Sequence, residues 1–488
     1  MCHTKKKRKL PSSTQQTRIN MNTFLCFLFG SVLLQLVQCI NYGAWENVEV
    51  EQSIELNRVS LLHRTKYTIK NVGDEDLLNY FVVVPPRHVG KISYHSAALA
   101  ESLVTLQSGI SEDGGEIVIV FPSPIEPNQE ISILLMENFN NLTTLATEYI
   151  GIGEDQKLLV PLYEYPQSHY PTKTSSTTVL GAPKMEFVRP FTPKKGAHLN
   201  VDDNTIGLGP YFDLDPTNLE GSVSEKENGL LLMKYLFNSP LTRVVKLERD
   251  VWVSHWADTV QFEEHYDVIN DAAKLENGFS RAEWMVKRAA FTPKSALVVF
   301  DMPLPEGSFD HYYTDVVGMV TTWKYLPNNH MVLKPRYPIF GGWMANFTIG
   351  WTNALGQFSH LLNKQNDEYL LQIPLVNGPK DTIYDEIDLN VYLPEGAKII
   401  DVYPPSVETQ VEYSFKKSYF DLNSGHLKTN IKLSNINDEF NYLECHVHYQ
   451  YSKTALYSKP LYIAMYVFLG LLSFFAMKRI DFSIEKNK

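Results

Sequence analysis

The chain has 488 residues, with 44 Lys and Arg against 55 Asp and Glu, a formal net charge of −11, and four cysteines. That balance argues against nucleic acid as a partner, which would call for a basic stripe. The length allows two or three domains, large enough to bury a core without help from disulfides.

The chain opens with a secretory pattern. Lys5, Lys6, Lys7, Arg8, Lys9 and Arg18 precede an apolar run from Phe24 to Val37. A basic stretch, a short apolar core and small residues at a cut site mark a signal peptide. Val37 and Cys39 fit the −3 and −1 positions, so residues 1–39 read as a signal peptide with a basic extension and the mature chain starts near Ile40. Met21 opens a more ordinary signal and is an alternative start. The basic run also fits a nuclear signal, but a secretory core follows it directly. Setting the leader aside takes 6 of the 44 basic residues, leaving 38 against 55 acids, a net charge of −17. Cys2, Cys26 and Cys39 leave with it, so Cys445 is the lone mature cysteine and no intramolecular disulfide is expected. That suits residence in the endoplasmic reticulum better than life as a surface receptor.

From Ile40 onward the sequence reads mainly as strands. Short runs of Tyr, Phe, Val, Ile and Thr are cut by Pro and Gly, as in Tyr80–Pro86, Glu116–Pro122, Ala296–Phe300 and Leu389–Pro394. Helical periodicity is scarce; Leu355–Leu362 offers one or two turns. Gln167–Thr178, rich in Ser, Thr and Pro, reads as an exposed loop, and Gly221–Gly229 as a long hairpin tip.

An internal echo stands out. Leu61–Asn71 lies on Val260–Asn270 without a gap. Leu61, Tyr67 and Ile69 share one face in the first copy, as Val260, Phe262, Tyr266 and Val268 do in the second, with polar residues between. Both are half-buried strands of period two. The expected fold is therefore mainly β, with two similar antiparallel β-sandwich-like lumenal domains, 40–245 and 246–454, meeting near Leu241–Glu248.

Chemistry is sparse. The zinc-helix, nucleophile-elbow and phosphate-loop motifs are all missing from the sequence. Cys445, His446 and His448 stand together, but strand alternation points Cys445 away from the two imidazoles, against a shared metal. Glu263, Glu264, His265 and Asp267 could offer carboxylates for catalysis or Ca²⁺; alternation splits Glu264 from Glu263 and Asp267, and a solvated sheet face is the simpler reading. Asp213 and Asp215 read as loop acids. No catalytic residue, metal site or cofactor is expected. Two sequons, Asn141-Leu142-Thr143 and Asn346-Phe347-Thr348, are candidate N-glycosylation sites. In the second, Trp343, Phe347, Ile349 and Trp351 make the apolar face, which leaves Asn346 and Thr348 on the accessible one.

Near the other end Leu461–Met477 is an uncharged apolar run of 17 residues followed by Lys478 and Arg479. As a helix it would be roughly 26 Å long, slightly short of the bilayer's apolar core of about 30 Å. Tyr457 and Tyr462 suit an interfacial aromatic belt, and the basic pair marks a cytoplasmic flank. Residues 455–478 are read as membrane helix and interface and 479–488 as a cytoplasmic tail, giving a type I membrane protein. A buried core helix is the competing reading.

Several segments resemble the ribophorin I family, in order along the chain: Gly278–Arg281, taken as a strand, His311–Asp315, Pro335–Trp343, Leu393–Lys398 and Arg479–Ile484. That resemblance implies the non-catalytic first subunit of the oligosaccharyltransferase complex of the endoplasmic reticulum membrane. Such a subunit supports transfer of a preassembled glycan from dolichol diphosphate to Asn-x-Ser/Thr. The implied partners are the other subunits, including the multi-spanning catalytic one, nascent polypeptides, the membrane, and the ribosome or translocon. In the membrane helix Ala464, Gly470, Ser473 and Ala476 are candidate close-approach positions. Two other classes compete: a membrane-tethered hydrolase using Glu263, Glu264 or His265, and a type I receptor or adhesion protein.

Overall fold

A computed structural model describes residues 44–193, 197–217, 229–290, 294–404, 409–418, 421 and 425–479, with the side chains of 287–290 set aside. The signal peptide with its cleavage site, and the tail beyond Arg479, lie outside the described residues.

The alternating residues form long strands. In chain order these are β1 (Trp45–Glu55), β2 (Leu61–Asn71), β3 (Glu130–Phe139), β4 (Thr172–Leu180) and β5 (Thr205–Leu214), then β6 (Thr242–Ser254), β7 (Thr259–Asn270), β8 (Met344–Ala354), β9 (Thr382–Leu393) and β10 (His426–Asn437). The first five lie in a ten-stranded sheet in the order β5-β4-β1-β2-β3, and the second five in an eight-stranded sheet in the order β10-β9-β6-β7-β8. In each set one neighbouring pair is parallel, β1 with β4 and β6 with β9, and the other pairs are antiparallel. The flanks agree too: His198–Asp202 and Gln410–Lys416 extend one side, Ile92–Leu99 and Phe309–Asp315 the other.

Register repeats as well. Trp45 faces Asn71 and Thr242 faces Asn270, and each ladder shifts by one residue beyond its third step, at Asn47/Glu49 and at Val244/Lys246. A bulge kept at one place in two copies is a feature of the fold rather than an accident. The period-two faces hold: Leu61, Tyr67 and Ile69 are buried in β2, and Val260, Phe262, Tyr266 and Val268 in β7.

Smaller sheets close the layers. Lys157–Tyr163 and Leu230–Leu236 belong to one four-stranded sheet, and Glu368–Pro374 and β11 (Glu444–Gln450) to another. Two large apolar cores result. One gathers Ile54, Val160, Ile206 and Met233; the other gathers Val251, Phe262, Trp351, Ile373 and Val447. The first core also takes in Ala272 and Ile383 from the second half of the chain. Polar ties reinforce that seam: Val59 N–H donates to Asp381, Asn140 donates to Asn435, and Ala273 N–H donates to Gln156. Arg58 pairs with Glu439. The described residues from Trp45 onward form one compact unit.

Some segments differ from the sequence reading. Gln167–Thr178 is not an exposed loop: Gln167, Ser168 and Tyr170 are buried and Thr172 opens β4. Asn47 Nδ2 donates to both Ser168 Oγ and Thr172 Oγ1, at 2.9 and 3.0 Å, so these hydroxyls are partnered inside the fold. Gly278–Ser280 is the approach to helix α1 (Arg281–Ala290), not a strand. Ser280 Oγ accepts from Glu283 N–H at 3.3 Å as the helix cap. Of Ala296–Phe300 only Phe300 is in a strand, with Leu297 making a single bridge to Ile339. Leu355–Gln357 is one turn of 3₁₀ helix, after which Ser359–Asn363 is a strand. The Gly221–Gly229 segment lies outside the described residues up to Gly229; the strands on either side, β5 and Leu230–Leu236, belong to different sheets.

Candidate functional site

The acids singled out by sequence separate onto two faces of β7. Glu264 points inward, fully buried, and is not on a solvated face as expected. Its Oε1 lies 2.8 Å from Nε of Arg249, also fully buried, an ionic contact not aligned as a hydrogen bond. Tyr266 Oη sits 2.6 Å from Glu264 Oε2 and 2.9 Å from the Gly378 carbonyl, and Arg249 also donates to Pro374 O. Burial pushes the Glu264 carboxyl up, while Arg249 and Tyr266 pull it back. Sealed from water, the pair ties β6 and β7 to the Pro374–Gly378 segment.

Glu263, His265 and Asp267 point outward. Tyr312 Oη donates to Glu263 at 2.6 Å, Glu263 Oε1 lies 3.1 Å from His265 Nε2, and His265 Nδ1 lies 2.8 Å from Thr348 Oγ1. The carboxylate bond raises the imidazole's pKa. Acid, imidazole and hydroxyl stand in a hydrolase-like order. They do so on strands β7 and β8 within a sheet, and Thr348 belongs to a sequon. Asn346 donates to Asp267 at 2.7 Å on the same face. Phe347, Ile349 and Trp351 are buried behind it. Asn141 is exposed in the turn after β3, between buried Asn140 and buried Leu142, at φ 55°. Asp213 is exposed at the end of β5 and Asp215 just beyond it.

Cys445 faces the second core, where burial pushes its thiol up to about 12, while His446 and His448 take the other face of β11. Among the described residues no group of three or more His, Cys, Asp or Glu could hold a metal.

Three of the segments that carry the family resemblance, Gly278–Arg281, His311–Asp315 and Pro335–Trp343, meet in space. Phe279 packs on Phe340 and Trp343, with ring centroids 5.6 and 5.8 Å apart, and Trp284 of α1 packs edge-on against Phe340 at 5.2 Å. Arg336 pairs with Asp315, its NH2 3.1 Å from Oδ1. A Cβ at Gly341 would fall 2.2 Å from the carbonyls of Ala272 and Ala273, so only glycine lets this segment close onto the end of β7. Sequence reading saw these as separate motifs; their joint role as one aromatic clasp shows only in three dimensions.

Leu393–Lys398 does a different job. It turns at the root of helix α2 (Lys453–Arg479), with Ala397 N–H donating to Pro394 O and Gly396 at φ 88°. Helix α2 has 27 residues and starts eight positions before the predicted apolar run, at the edge of the folded body. Ser452 caps it, accepting from Ala455 N–H at 3.2 Å. Ala455 and Leu456 pack on the second core. Lys459 Nζ reaches Asp421 at 2.7 Å, and Asp421 is fully buried. Burial alone would raise the Asp421 carboxyl, but Lys459, the Ser418 N–H and His426 outweigh it and hold it low. Beyond this joint every residue from Leu461 to Arg479 is exposed. Among the described residues α2 is the one helix long and apolar enough to cross a membrane. Within it, at about 100° per residue, Gly470, Ser473 and Ala476 fall in one arc of about 120°, and Ala464 faces about 180° away from Ser473. The four small residues therefore do not share a face.

Among the described residues, a two-lobed β body is fixed to one long apolar helix, with Glu264 sealed inside and Glu263 and Asp267 on an outer sheet face. The family model for ribophorin I matches residues 45–478, and the chain belongs to that family. Relatives include the dolichyl-diphosphooligosaccharide–protein glycosyltransferase subunit 1A of Arabidopsis thaliana, 25% identical over 90% of this chain and 71% of that protein. Subunit 1 of Caenorhabditis elegans is 23% identical over 95% and 76%, and subunit 1 of Schizosaccharomyces pombe 25% identical over 85% and 90%. Among solved structures, an M1 zinc metallopeptidase from Deinococcus radiodurans aligns over 43% of this chain and 48% of its own at 11% identity, with a TM-score of 0.24, too low to carry an argument.

Proposed function

We propose that this chain is an accessory, non-catalytic subunit of oligosaccharyltransferase, serving N-glycosylation by holding the complex together. The observation that carries this reading is the match to ribophorin I across 45–478, which includes both β lobes and the membrane helix. The geometry supports the division of labour. Donor-lipid chemistry needs a cavity built from several membrane helices, and the described residues contribute one. What it supplies is a rigid joint: Ser452, Leu456 and Lys459 fix the lobes to α2, so that wherever α2 is held, the lobes stand at a set height and angle.

The duplicated sheet order supports two related domains, 40–245 and 246–454, that act as one body across the Arg58–Glu439 and Asn140–Asn435 seam. The lobes face the lumen of the endoplasmic reticulum, with Lys478 and Arg479 on the cytoplasmic side. The partners are the multi-spanning catalytic subunit and its companions, with nascent chains, and the ribosome or translocon, passing close by. Gly470, Ser473 and Ala476 form the stripe by which a neighbouring membrane helix approaches. Asn141 and Asn346 both carry glycans. Gentle detergent extraction, pull-down on this chain and identification of what comes with it tests the assignment; recovery of the chain without glycosyltransferase subunits contradicts it.

A further inference from the structure

The root of α2 bounds a cavity of about 500 Å³. Its far wall is the turn between β6 and β7, and its near wall is the helix, with Leu456, Pro460 and Ile463. The turn is not a loose loop. His255 lies 2.7 Å from Tyr449 Oη and packs against Tyr451, two residues before α2, with ring centroids 4.9 Å apart. This places Trp256, next in the chain, beside the first apolar turns of a membrane-spanning helix. Trp256 is 76% exposed, although an indole in water forgoes most of its burial energy. Ile463, in the same cavity wall, lies within the apolar run, and Lys459 marks the polar end. The cavity thus straddles the boundary between headgroups and hydrocarbon, the depth at which tryptophan is enriched.

We propose that this cavity and Trp256 form a lipid seat, which takes a phospholipid from the adjoining leaflet and rests the second lobe on the bilayer. The inference rests on α2 spanning the membrane. The charges select the headgroup. Lys459 is the cation at the rim, and it is neutralised by Asp421 at 2.7 Å and faced by Glu395 at 3.9 Å. Lys459 is committed to Asp421, and His426 of the same wall lies 3.4 Å from that carboxylate, so the rim holds its cation in place rather than offering it to an anionic headgroup, and a zwitterionic one fits.

Tryptophan fluorescence tests this cleanly, because the chain's seven tryptophans all precede α2. The full chain is placed in phosphatidylcholine nanodiscs, and co-elution with the discs first establishes that α2 is inserted. Lipid brominated near the headgroup end of its acyl chains then replaces ordinary lipid. The wild-type chain loses a component of emission to bromine quenching, and Trp256→Phe abolishes that loss. Equal quenching of wild type and variant in inserted samples overturns the seat while leaving the spanning helix intact. Should Trp256→Phe fold poorly, a spin label at Ala257→Cys keeps the indole in place. It should be more accessible to oxygen, which partitions into lipid, than to a water-soluble nickel complex, and the reverse order overturns the proposal.

Discussion

Asn71 and Asn270, 199 residues apart, hold matching positions in two sheets of the same strand order: each ends its strand fully buried and anchors the loop beyond. Asn71 donates to Glu75 O and Ile125 O at 2.8 and 2.9 Å and accepts from Gly73 N–H. Asn270 donates to Ser295 O and Ile339 O and accepts from both Leu241 and Ala272 N–H. Removing either side chain strands buried backbone groups at about 1–3 kcal/mol each before relaxation. Asn71→Ala should cost about 2–3 kcal/mol and Asn270→Ala, with one more bond and the lobe junction to hold, about 3–4 kcal/mol, read by chemical denaturation. A cost below that of an ordinary surface change at either position would refute the equivalence.

Arg249 and Glu264 make a second test. Glu264→Gln leaves a buried guanidinium without its counter-charge and should destabilise by about 3–5 kcal/mol. Arg249→Met with Glu264→Gln removes both charges and should recover a large part of that loss. If the double variant is no better than the single, the pair is not coupled. Thermal or denaturant melts of the purified chain distinguish the two results.

How much of this was legible follows from what kind of signal each part leaves. The strands of β2 and β7 were readable because Leu61, Tyr67 and Ile69 alternate with Arg64, Lys66 and Thr68, and burial obeyed that alternation. The membrane helix was readable from composition, but its start was not. Lys453–Pro460 is polar enough to pass for a linker, and its helicity depends on Ser452, Asp421 and the Leu393–Lys398 turn. Helix α1 left a local signal that went unused, since Ser280-Arg281-Ala282-Glu283 has the spacing of a capping box. Glu264 was misplaced because a carboxylate on an apolar face is affordable only with Arg249 opposite, and pairing across strands is invisible to alternation. The Thr-rich β4 was misread because Ser168 and Thr172 look solvated in sequence yet accept from Asn47, and because Ser175 and Thr177 are buried on the inner face of the strand.

The outer face of β7 should respond to pH. His265 has its pKa raised by Glu263, so the folded state holds the proton more tightly than the unfolded chain does. Its stabilising contribution is full below the ordinary value of 6.5 and is lost as pH rises through the higher folded value. Glu263→Gln should move the imidazole titration back toward 6.5, followed by NMR of labelled histidine. Thr348→Ala should remove glycan from Asn346 while leaving the Glu263 effect on His265 in place. An unmoved titration in Glu263→Gln would show that the contact is not formed in solution.

The helix stripe predicts an asymmetry. Gly470→Leu and Ser473→Leu should each reduce co-purification of other subunits several-fold, since close helix approach in lipid depends on small residues. Ala464→Leu, on the opposite side, should have little effect. Equal loss from all three, or none from any, would remove the stripe as a contact.

The most direct test of the central claim is sequon occupancy on many secretory glycoproteins after depletion of this chain. Re-expression would use the wild type or a Glu263→Ala, His265→Ala variant. A positioning subunit predicts under-occupied sequons on depletion, with full rescue by both forms, because the outward acid and imidazole carry no chemistry. Normal occupancy after clean depletion, or rescue by the wild type alone with the variant folded and assembled, would contradict it.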